Sequence, residues 1–200
     1  MNQIKSERKA KEGVRTERVT ARCDTPNRDK IEQCDIFRDI VFIESAVVEG
    51  DEAVISEMHF PFAMCMSQSC DLESDLRDRA KPEGSFRGNM LLQIIMVPLF
   101  PVEQFADGSH WGSVILCQCI GSANLENLIK KNRDARYHYI RFPDEVKFGP
   151  FVADFKNFFT MSRDCLYDNM EKRICSIKPL YRDDIVRRFA NYTSRIGLPE

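Results

Sequence analysis

Phe60-Pro61-Phe62-Ala63-Met64-Cys65-Met66-Ser67-Gln68-Ser69-Cys70-Asp71-Leu72 is the stretch that decides the fold. Its first seven residues are apolar and end abruptly in a small polar turn. A short apolar run bounded by turn residues reads as a buried strand. The strand delivers Cys70 and Asp71 to its own end, where a rigid element holds reactive groups at the surface.

Upstream, Ile36–Glu44 is rich in β-branched and aromatic residues and predicts another strand, with a turn at Glu49-Gly50-Asp51. Downstream, Asp71–Gly88 is polar and reads as a long surface loop or a short helix between loops. Met90–Val97 predicts a strand buried on both faces, ended by Pro98 and Pro101. Ser113–Gly121 predicts a fifth-row strand with Val114, Leu116, Gln118 and Ile120 on one face and Ile115, Cys117 and Cys119 on the other. Ser122–Asn132 reads as a helix with Ser122 as N-cap, and Tyr137–Phe142 as a short strand. Phe151–Met161 is expected to pair with Arg173–Ile177 through a turn near Asp168-Asn169.

The last element is a helix opened by Pro179. It carries the stripe Ile185, Phe189, Tyr192 and Ile196, and Gly197 and Pro199 end it. Strands first and helices later argue for an α+β fold with a mostly antiparallel, barrel-like sheet, one inserted helix and a C-terminal helix. The chain divides into a charged arm, residues 1–29, and a single domain, residues 30–200. Seven Lys and Arg residues between Lys5 and Arg22 make the arm basic.

Net charge is −2 over 200 residues, so bulk charge does not select for nucleic acid. No apolar run reaches the length of a membrane span, and Met1–Arg22 lacks the apolar core of a secretory leader. A cytoplasmic location without membrane contact is expected. The eight cysteines then stay reduced.

Four residues are candidates for catalysis. Cys70 is the nucleophile, Asp71 its neighbour, and His59 and His138 supply a base. Such a set would make a hydrolase or nuclease. The competing reading packs Cys70 as a small buried side chain and uses Asp71 to cap the next turn. Cys65 with Cys70 and Cys117 with Cys119 lack the spacing of zinc knuckles, so no metal or other cofactor is expected. Arg133, Arg136, Tyr137, Tyr139 and Arg141 interleave cations with aromatic rings around His138, the pattern that stacks bases and holds phosphates of RNA or DNA. A half-exposed strand with arginines lying over its rings is the plainer reading. His110-Trp111-Gly112 holds the one tryptophan, read as closing an end of the barrel or as part of a binding surface.

Arg38–Ile43 followed by Phe62–Gln68 resembles the opening of the PemK/MazF-like toxins, SH3-like barrels that begin with a Gly-Asp-Ile-Val strand and continue with a Val-Leu-Val-x-Ser strand. Ser67–Leu72 and Arg188–Pro199 are similar to segments of bacterial and phage-related proteins with this barrel. The resemblance implies an SH3-like fold and a place among microbial defence or mobile-element proteins. His59-Phe60-Pro61 stands where those toxins carry an arginine, so no ribonuclease residue is carried over. The combined expectation is an interaction module, accessory to a defence or toxin-related system, with a protein partner. Nucleic-acid binding through Arg133–Arg141 is an alternative.

Overall fold

The computed structural model describes residues 19–27, 29–50, 52–112, 115 and 117–195. Most of the arm lies outside these residues. The strands are β1 (Cys23–Asp24), β2 (Asp35–Glu49), β3 (Glu52–Cys65), β4 (Gln93–Pro101), β5 (Tyr137–Ile140), β6 (Phe151–Asp154), β7 (Phe159–Ser162) and β8 (Arg173–Ile177). The helices are α1 (Ser69–Arg79), α2 (Val102–Asp107), α3 (Ser122–Asn124, continued as a π-helical turn over Leu125–Ile129), α4 (Arg163–Asp168) and α5 (Pro179–Thr193). The fold is therefore α+β, with more helices than the two expected.

All strand pairs are antiparallel, in the order β1-β8-β2-β3-β4-β6-β5, with β7 also on β4. The sheet curls into a half-barrel. At its seam, Thr20 and Ala21 donate their N–H groups to the Arg141 carbonyl at 2.9 and 3.0 Å. Thr20 Oγ1 also bridges the Tyr139 carbonyl and the Arg141 N–H. The residues just before β1 thus reach the end of β5.

Strand periodicity sorts the core onto two faces. Ile36, Met64, Val97, Leu99, Ile140, Ala153 and Ile177 point inward, where Ile185, Phe189 and Tyr192 of α5 cover them. Phe37, Phe60, Ala63, Cys65, Ile94, Met96 and Phe100 point outward and pack beneath Leu72 of α1, Leu166 of α4, Trp111 and Phe159. Both faces are covered, which is why Phe60–Met66 is apolar without alternation. Each large side chain so buried contributes about 1.5–3 kcal/mol.

Two prolines sit inside strands. Pro98 stands where β4 changes its outer partner from β7, at Gln93–Met96, to β6, at Leu99–Pro101, so on that side neither ladder needs its N–H, while the pairing with β3 continues through Ala63. The expected ending of the strand at Pro98 is corrected accordingly. Pro61 in β3 faces Asp39, which takes a left-handed φ of 51°.

Three further expectations are corrected. The described part of Ser113–Gly121 forms no strand. Ile120 donates its N–H to the Ala106 carbonyl at the end of α2, and the Cys117 carbonyl approaches Gly108 so closely that a Cβ there would stand 2.6 Å away. The free end of α2 captures this segment before a sheet edge does. α3 is N-capped by Gly121, with Ser122 already helical. Arg173–Ile177 pairs with β2 and β1 instead of with residues 151–161, because the Asp168-Asn169 region is the end of α4 and not a hairpin turn. The expected end of the last helix at Gly197 lies outside the described residues.

Asp35 holds β8 in place. Its carboxylate, 0% exposed, accepts from Ser176 Oγ at 2.5 Å, Arg173 Nη1 at 2.8 Å and the Glu32 N–H at 2.9 Å. Burial pushes its pKa up, while these donors pull it down. Removing one partner of such a pair strands the other charge in the core. Asp35→Ala should therefore lose about 3–5 kcal/mol in urea denaturation, whereas Asp35→Leu combined with Arg173→Met should recover most of that loss. Equal losses in the two variants would show that the ion pair is not what fixes β8.

Candidate functional site

The strand β3 does run into the Cys70 turn, and Gln68 takes the N-cap position of α1. Cys70 is exposed in the first turn of α1, contrary to the packed reading, and the buried thiol is Cys65. Cys70 Sγ lies 3.5 Å from Gln68 Oε1 and 3.7 Å from Asp71 Oδ1. His59 sits exposed on β3 beside Glu57, at 3.4 Å. His138 is buried on β5, with Nδ1 unpartnered. No hydrogen bond joins the thiol to an imidazole, so Cys70, Asp71, His59 and His138 do not form a nucleophile–base pair in this arrangement. Among the described residues, no three His, Cys, Asp or Glu side chains are grouped as a metal site.

The Arg133–Arg141 segment is divided by strand alternation. Arg133 is exposed, Tyr139 is buried against Val102, Phe105 and Ile129, and Arg141 pairs with Asp144 at 3.0 Å. Tyr139 thus has no open ring face for a base. Arg136 and Tyr137 instead line a cavity of about 340 Å³ together with Phe105, His110, Trp111, Lys156 and Asn157. The two segments flagged for binding, His110-Trp111 and Arg133–Arg141, converge here.

Asp154 organises the polar wall of this cavity. Its carboxylate, 0% exposed, accepts from Arg136 Nε at 2.7 Å, Arg136 Nη2 at 2.5 Å, the Lys156 N–H at 3.1 Å and Asn157 Nδ2 at 2.7 Å. The bidentate fork fixes the guanidinium plane, and the arginine lies 4.7 Å from the Tyr137 ring centre. Burial pushes the Tyr137 hydroxyl up to about 12 and pushes His110 below its ordinary value, so both are neutral near pH 7. The sequence reading missed Asp154, Lys156 and Asn157. The available signal was a lone carboxylate inside the apolar run Phe151–Phe155.

A second feature stands out from the body of the fold. Beyond Phe42 and Met58, whose rings and chains still touch the core, β2 and β3 continue as a two-stranded ribbon. Every described side chain in Ile43–Val48 and Glu52–Glu57 is exposed. Cross-strand pairs share a face. One face carries Val47 opposite Val54, and the other carries Ala46 opposite Ile55 and Val48 opposite Ala53. The ribbon projects about 25 Å at strand rise. The sequence holds no Lys or Arg from Asp39 through Leu76, and it places Glu44, Glu49, Asp51, Glu52 and Glu57 in this hairpin.

No family model, curated protein or solved structure matches the chain.

His138 has a measurable consequence even without a catalytic partner. Burial under α5, aided by the Arg188 charge and opposed by Asp184, pushes its pKa down to about 4. An unfolded histidine titrates near 6.5. Its contribution to stability is therefore complete above about pH 6.5 and is lost as pH falls toward 4, by about 3 kcal/mol in all. His138→Phe should flatten the fall in urea midpoint between pH 6.5 and 4.5. An unchanged slope would show that other groups carry the acid sensitivity.

Proposed function

We propose that the chain is a protein-interaction module whose docking element is the Ile43–Glu57 ribbon. The observation that carries this reading is apolar exposure on both faces of one protruding hairpin: Val48 is 75% and Ile55 52% exposed on one face, and Val47 is 52% and Val54 50% exposed on the other. An isolated two-stranded ribbon is marginal in water, and side chains of this kind gain most when a partner covers them. The ribbon's outer edges are also open. β8 covers β2 only along Asp35–Phe37, and β4 covers β3 only along Phe62–Cys65. Either edge can accept a strand from a partner.

The partner is a protein surface with an apolar strip flanked by Lys and Arg. Charge complementarity argues for it, since the ribbon is rimmed by carboxylates and has no cation. A second copy would bring like charges together. An anionic membrane is disfavoured for the same reason, and among the described residues no helix is long and apolar enough to cross a bilayer. The PemK/MazF-like resemblance of Arg38–Ile43 and Phe62–Gln68 supports an SH3-like description of the half-barrel and an accessory role in a microbial defence or toxin-related system.

Fluorescent alternating Leu–Lys and Leu–Glu peptides test the ribbon. The Leu–Lys peptide should bind at least about tenfold more tightly, and Val48→Asp with Ile55→Asp should weaken it about tenfold without changing the melting temperature. Binding that ignores peptide charge, or survives both substitutions, would overturn the assignment. A concentration-dependent dimer abolished by the same substitutions would overturn it in favour of a second copy on the ribbon.

A further inference from the structure

We infer that the cavity between Trp111 and the Phe155–Asn157 turn binds a small aryl phosphate or aryl carboxylate, a planar ring bearing one anionic group. The ring half of this ligand follows from one wall. Trp111 and Tyr137 line it with aromatic side chains, and the buried Phe105 backs them, edge to face with Tyr137 at 4.8 Å and tilted against His110 at 4.8 Å. A dry cavity of about 150 Å³ holds a benzene ring. The volume here, about 340 Å³, admits a ring and its anionic substituent and falls at the small end of ligand sites.

The anionic half follows from the opposite wall. Asp154 neutralises Arg136, so the polar wall carries one net positive charge, that of Lys156. Lys156 is exposed and its ammonium has no ion-pair partner among the described residues. Arg136 uses Nε and Nη2 on Asp154, which leaves Nη1 without an acceptor among the described residues. The carboxylate also accepts the backbone N–H of Lys156, so one buried group orients the arginine fork and fixes the backbone from which the lysine side chain departs before any ligand arrives. One oriented guanidinium and one free ammonium, with a single uncompensated charge between them, suit a single phosphate or carboxylate better than a polyanion.

Trp111, the chain's one tryptophan, reports on the cavity directly. Its fluorescence would be followed while phenyl phosphate, benzoate, inorganic phosphate and benzyl alcohol are added separately to the full chain. Phenyl phosphate or benzoate should saturate the signal at least about tenfold more tightly than inorganic phosphate or benzyl alcohol, because only they fill both walls. The better of the two identifies the anionic group. Lys156→Gln should weaken that ligand about tenfold, while Lys131→Gln, an exposed lysine on α3's flank, should leave it unchanged. Inorganic phosphate binding as well as phenyl phosphate would reduce the site to a surface charge and overturn the proposal. So would the absence of saturation by any aryl anion, or an aryl-anion affinity indifferent to Lys156→Gln. None of these outcomes bears on the ribbon, whose test uses different residues.

Discussion

The architecture depends on one buried carboxylate. Asp35 begins the longest strand, yet its partners Arg173 and Ser176 come from the end of the chain, 138 and 141 residues away. A loop of that length costs entropy to close, and the ion pair forms only when β8 lies beside β2. Once there, β8 carries α5 directly behind it. Arg182 of α5 donates to the Ile177 carbonyl and to Glu32, which ties the helix to the same corner. α5 then covers the inner face of the sheet with Ile185, Phe189 and Tyr192. Removing Asp35 alone would leave Arg173 buried without its partner and weaken the seat of the helix over Met64, Val97 and Ile140.

Asp154 uses the same chemistry for a different end. Both carboxylates are wholly buried and both are surrounded by donors. The donors of Asp35 are spent inside the fold, since Arg173 also gives its Nη1 to the Lys30 carbonyl. The donors of Asp154 stand at the rim of a cavity, so satisfying the carboxylate orients the Arg136 and Asn157 side chains there and fixes the backbone of Lys156 beside them. A buried anion that fixes cations beside a cavity produces a site whose shape does not wait for the ligand, which lowers the ordering cost of binding.

How much of this was legible in the sequence follows from the range of each interaction. Ile36–Glu44 and Phe60–Met66 read correctly as strands because β-branched and aromatic runs report local backbone preference. α5 read correctly because Pro179 and a stripe at helical spacing mark it within 15 residues. The pairing of Arg173–Ile177 was misread, since the choice between neighbours depends on Asp35 far upstream. Ser113–Gly121 has the alternation of a strand, but a single hydrogen bond from Ile120 to the end of α2 outcompetes it. The cavity was half visible. His110-Trp111 and Arg136-Tyr137 could be flagged one by one, but nothing in their spacing shows that β5 and the turn after α2 bring them together. Glu52–Glu57 was passed over because its acids mask a strand that no core contact requires.

That last omission bears on why the ribbon persists. An open β edge with exposed valines invites pairing with other copies, and natural sheets guard against this with charge. Here the guard is of one sign only. Carboxylates at Glu44, Glu52 and Glu57 repel a second ribbon while leaving Val47, Val48, Val54 and Ile55 uncovered. A mixed-sign edge would protect equally well against aggregation but would give up selectivity for a cationic partner. On the proposed docking role, the absence of Lys and Arg from Asp39 through Leu76, a range that includes the hairpin, selects what docks as well as keeping copies apart.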